Sequence, residues 1–132
     1  MKYKIPGALI ALGLLGTVAL WAHHSPSAEF DMSKRMKLSG TLTKIDWVNP
    51  HIMFYMQAKS TGEMWKLESN PPAWFRRVGV NRNDFAKAIG QTVTVEGNRS
   101  KDGTPFAYIL KITYQDGTSL ELVSEGAAAE SK

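Results

Sequence analysis

From Met36 to Leu42 apolar and polar residues alternate, so that Met36, Leu38, Gly40 and Leu42 fall on one face of an extended strand. The phase then slips, and Ile45 and Trp47 carry the apolar series onward. A slip beside a strand glycine predicts a bulge or sharp bend. Asn49-Pro50 closes this strand. Ile52, Phe54 and Met56 mark a second one ending in the turn Ser60-Thr61-Gly62, and Trp65 and Leu67 supply the inward face of a third.

Asn70-Pro71-Pro72 ahead of Trp74, Phe75 and Val78, with Gly79 behind, predicts a short helix capped by Asn70. A second helical turn is expected from Asp84 to Ile89, with Asn83 as cap and Gly90 as stop. Val93 and Val95 form a fourth strand, Asp102-Gly103 sits where a hairpin turn belongs, and Phe106 to Tyr114 form a fifth. Asp116-Gly117 then leads to Leu120 and Leu122 in a short extra strand. The expected fold class is all-β with one or two short helices. Three strands, a helix and two more strands, the first strand long and bent, is the connectivity of a small OB-like barrel of five to six strands.

The pattern before residue 36 differs in kind. Lys2 and Lys4 precede an apolar run from Ile5 to Trp21 that ends at Ala22 and is followed by His23-His24-Ser25. This reads as a secretory signal peptide over residues 1–22, and an uncleaved anchor is the alternative. Cleavage after Ala22 is expected, with Thr17 and Ala19 offering a second acceptable site. Residues 23–35 are expected to be an extended arm, 36–123 the barrel domain and 124–132 a disordered polar tail.

Removing residues 1–22 of 132 leaves 110, enough for one domain with one core. Loss of Lys2 and Lys4 lowers the net charge from +4 to +2. Export and so small a positive charge argue against a nucleic-acid partner. With 0 Cys, disulfides, a thiol nucleophile and thiolate metal sites are excluded. The expected home is a bacterial periplasm, with no membrane attachment after cleavage.

All three histidines fall in two places: His23-His24 at the expected mature N-terminus, and His51 after the corner Trp47-Val48-Asn49-Pro50. If the chain starts at His23, its free α-amine and imidazole can chelate one cation, and a further histidine can complete a planar nitrogen set of the kind that suits Cu(II). Residues 25–35 could span roughly 36 Å at about 3.3 Å per residue, so distance does not forbid His51. Copper is therefore the candidate cofactor, with His23, His24 and His51 as metal residues. Glu68, Asp31, Trp47, Asn49 and Trp65 are candidate additional ligands or pocket residues, and Glu29 a further oxygen donor. A plainer reading stands beside this one: a His-His pair on an arm is solvated, and His51 bonds a backbone carbonyl. Glu68, on the face opposite Trp65 and Leu67, is then an exposed strand residue, the alternative being a buried partner of Arg76, Arg77 or His51.

No Ser-His-acid set, G-x-G-x-x-G or P-loop spacing occurs, so enzymatic activity is not expected. Two functions remain open. One is an exported binding or accessory protein holding copper. The other is a non-metal module holding a small molecule, glycan or partner envelope protein on an aromatic face built from Trp47, Tyr55, Trp65, Trp74, Phe75 and Tyr108. The basic group Arg76, Arg77 and Arg82 reads as a solvated helix face.

Taken together, A-H-H-S, E-F-D, L-S-G-T-L-T-K-I-D-W-V-N-P-H, W-K-L-E, V-T-V-E-G-N-R-S-K-D-G and Y-Q-D-G-T resemble a family of short secreted bacterial proteins, the domain of unknown function 6152. The resemblance runs from His23 to about Leu122. It implies that a His-His-Ser start and an Asn-Pro-His corner recur, here on His23, His24, Ser25 and Asn49, Pro50, His51, and it implies no particular activity. The chain departs from the pattern at Ala73-Trp74-Phe75, where such proteins carry a leucine-rich segment.

Overall fold

The computed structural model describes residues 25–122. The expected leader, His23, His24 and the expected tail lie outside them. In chain order the elements are Pro26–Glu29 (α1), Phe30–Asp46 (β1), Met53–Ala58 (β2), Met64–Glu68 (β3), Pro72–Arg77 (α2), Arg82–Ala86 (α3), Thr92–Ser100 (β4), Phe106–Thr113 (β5) and Ser119–Glu121 (β6).

The strands run β3-β2-β1-β4-β5-β6, antiparallel throughout, and a parallel pairing of β3 with β5 closes the sheet into a ring. β1 serves both halves. Its residues from Gly40 to Asp46 pair with β2, while Met36 to Thr41 pair with β4. A strand shared in this way must bend, and the register shifts between Leu42 and Lys44, where the apolar phase slips. Gly40 lies at the bend because the neighbouring strand leaves no space for a side chain: a Cβ there would sit 2.2 Å from the Gln57 carbonyl oxygen.

The inside of the ring is filled by the alternating residues of every strand, among them Leu42, Ile45, Phe54, Met56, Leu67, Val93, Val95, Ile109 and Ile112. Phe75 of α2 and Phe85 of α3 plug one end and meet edge-on at 5.6 Å. Trp47 covers both rings, at 5.4 and 6.0 Å, which fixes the end of β1 against the helices.

Three local expectations are corrected. Pro71, not Asn70, is the residue that caps α2, and the Asn70 side chain is spent elsewhere. The cap of α3 is Asn81 rather than Asn83, because Asp84 returns a bond to the Asn81 N–H while the Asn81 side chain accepts from Asn83 N–H. And the first strand starts at Phe30, so that the segment before Met36 is one helical turn followed by strand rather than an extended arm outside the ring.

Phe30 explains the last difference. It is buried against Phe106 at 4.9 Å and Tyr108 at 5.7 Å, with Met32 packed beside them, in a second, smaller core on the outer side of β5. Asn98 holds the irregular stretch that follows, its amide donating to the carbonyls of Asp31 and Lys34. Lys101 anchors α1 through Lys101 N–H to Glu29 O and Lys101 Nζ to Ser27 O.

Candidate functional site

The corner after β1 turns through a cis Asn49-Pro50 bond and delivers His51 to the start of the β2 ladder. Ile52 continues that ladder, donating to Asn70 O and accepting from Ser69 N–H. Successive strand residues point to opposite sides, and Ile52, Leu67 and Ser69 are all buried on the inner one. His51 and Met53 therefore lie on the outer side, beside Glu68 and Asn70.

On that outer side His51 Nδ1 is bonded to Glu68 Oε1. Glu68 is 7% exposed, so of its two expected readings the solvated strand residue is overturned and the buried partner of His51 holds. It is hemmed in by its ladder neighbours, Met53 on β2 and Tyr108 on β5, and by the His51 ring. Burial pushes its carboxyl above the usual carboxylate range; His51 opposes that shift, and the nearby charge of Glu29 adds to it. His51 thus bonds a carboxylate, where a backbone carbonyl was the bland expectation.

Asn70 and Tyr108 complete the corner. The Tyr108 hydroxyl donates to Asn70 Oδ1 at 3.1 Å, and Asn70 Nδ2 donates to Leu122 O. Burial, and secondarily the Glu68 charge, raises the Tyr108 phenol. Neither residue was assigned to this place from sequence alone. The signal lay in the continued alternation Lys66, Glu68, Asn70 opposite the inward Trp65, Leu67, Ser69.

The other candidates go elsewhere. Asp31 is occupied locally, accepting from Ser33 N–H and Oγ at 3.1 and 2.6 Å with Lys34 at 3.6 Å, and these hydrogen bonds lower its pKa. Asn49 is exposed, Trp47 packs on the helices, and Trp65 is a core residue with the Arg99 guanidinium 5.0 Å from its ring centre. Among the described residues, no three of His, Cys, Asp or Glu come together as a metal set.

The six aromatics are also dispersed. Trp47, Trp74 and Phe75 form one cluster at the helical end, Trp65 is inside the ring, Tyr108 belongs to the second core, and Tyr55 lies outside under Lys44. Arg76, Arg77 and Arg82 are exposed.

The fold and the corner define the class: a small β protein whose sheet closes in an OB-like ring, with a half-buried histidine bonded to a buried carboxylate outside the wall. The chain belongs to a family of unknown function, DUF6152, whose model matches residues 12–109. No curated protein and no solved structure matches it.

Proposed function

We propose that this is an exported periplasmic binding or accessory protein that holds copper(II) through His51 together with His23 and His24. The observation that carries the reading is the contact of His51 with the buried Glu68 carboxylate. Glu29, at the end of α1, is close enough for its charge to act on Glu68, and Glu68 is bonded to His51. α1 is a single turn fixed to Lys101 by two hydrogen bonds, so the segment after Ser25 is held against the sheet.

His24 and His23 directly precede Ser25, and two residues reach about 7 Å. Two imidazoles and the α-amine of His23 can then join the His51 imidazole in the nitrogen-rich set that favours Cu(II). The α-amine is free only if the leader is cut after Ala22, which ties metal binding to export.

Intact mass of protein purified from the periplasm, followed by Cu(II) titration, tests this reading. The expected result is a chain starting at His23 that takes one copper tightly and is strongly weakened by His51→Ala. A different N-terminus, or copper binding indifferent to His51→Ala, overturns it.

A further inference from the structure

We infer that Glu68 is the positioning residue of this site: it fixes His51 as the Nδ1–H tautomer and so makes Nε2 the ligating atom. The inference rests on the copper reading and deepens it.

A neutral imidazole carries one N–H, and a carboxylate only accepts. The contact between His51 Nδ1 and Glu68 Oε1 therefore requires the proton on Nδ1, which leaves the Nε2 lone pair free on the opposite edge of the ring. An imidazole with no partner favours the other tautomer, in which Nε2 carries the proton and cannot ligate. A carboxylate behind a ligating histidine both selects the tautomer and holds the ring plane.

Glu68 is suited to that task. It sits on β3 between two ladder partners, Met53 and Tyr108, so its backbone is fixed by the strands that close the ring. Tyr108 gives its hydroxyl proton to Asn70, which leaves Glu68 Oε1 to His51. Glu68 is more deeply buried than the ring it holds, with side-chain exposures of 10% and 23%. The ring consequently lies on the solvent side of the carboxylate, and a metal approaching from solvent meets His51 first. Glu68 stands behind the ligand rather than among the ligands.

The tautomer is read in the metal-free full chain by long-range ¹H–¹⁵N correlation of the ring nitrogens in the neutral form. Nδ1–H is expected in the wild type, and Nε2–H in Glu68→Leu. Cu(II) affinity should fall by about 10–100-fold in Glu68→Leu. Glu68→Gln, whose amide oxygen still accepts from Nδ1–H, should restore much of it. A wild-type ring protonated on Nε2 overturns the inference and needs no variant to show it. Tight wild-type binding that depends on His51 yet is unchanged in Glu68→Leu also overturns it, and leaves the copper reading standing. A wild type that takes no copper overturns both.

Discussion

Asn70 accepts the Tyr108 hydroxyl at 3.1 Å and passes its own amide proton to the Leu122 carbonyl, so one side chain ties β5 and the end of the described chain to the segment after β3. The bond lies at the parallel β3–β5 seam, which is only three residue pairs long. Tyr108→Phe should cost about 1 kcal/mol. Asn70→Ala leaves both the buried hydroxyl and the carbonyl without their partner and should cost about 2 kcal/mol. Urea unfolding of the two variants reads the difference, and equal costs would mean that the Leu122 bond contributes nothing.

The two glycines inside strands make a second prediction. A Cβ on Gly40 would meet Gln57 O at 2.2 Å, and one on Gly97 would meet Tyr108 O at 2.2 Å. In both cases the obstacle is backbone of the neighbouring strand, which cannot step aside without breaking the ladder. Each position lies at or close to a register shift where the sheet bends to close. Gly40→Ala and Gly97→Ala should each cost about 3 kcal/mol, the upper end for overpacking, visible as a lower urea midpoint with unchanged slope.

Tyr114 sets the response to alkali. Burial, with the charges of Asp84 and Asp116 behind it, pushes its phenol up to about 12 from an ordinary value of 10.0. Between these values the unfolded chain has released a proton that the folded chain still holds, so stability falls as pH rises through that window and is fully present below it. Thermal melts between pH 9 and about 12 should show the decline, and Tyr114→Phe, with no proton to lose, should shallow it. Some slope should survive in the variant, because Tyr108 is shifted in the same direction. A slope identical in the two proteins would assign the alkaline loss to other groups.

The strands were legible because most of their length alternates between inward apolar and outward residues, and the slip between Leu42 and Ile45 marked the bulge that the register confirms. The helix caps were not, since Asn70 and Asn83 stand where a cap belongs. Only the spacing of Asn81 to Asp84 distinguishes the true box, and Asn70 is claimed by Tyr108, thirty-eight residues away. Phe30 looked solitary because its partners, Phe106 and Tyr108, lie on the far strand. Glu68 was read correctly as facing outward, but exposure was preferred over burial against His51, and burial is what the fold shows. Period-2 alternation tells which side of the wall a residue occupies, and it says nothing about a corner or a turn of helix folding over that side. His51, seventeen residues upstream, supplies that cover.

Copper's effect on stability follows from where its ligands are. Under the proposed reading, the α-amine, His23 and His24 are adjacent in sequence and hold copper in the unfolded chain as well as in the folded one. Binding to both states cancels, so the metal stabilises the fold only through the extra affinity that His51 adds. Wild-type protein with copper at about 100 times the dissociation constant should therefore gain less than the ~2.7 kcal/mol available to a site that exists only in the folded state. His51→Ala should still bind copper weakly, yet show no rise in melting temperature with the metal, and a chelator should return the wild type to the metal-free value. A metal-induced rise that persists in His51→Ala would place copper on some other part of the folded chain.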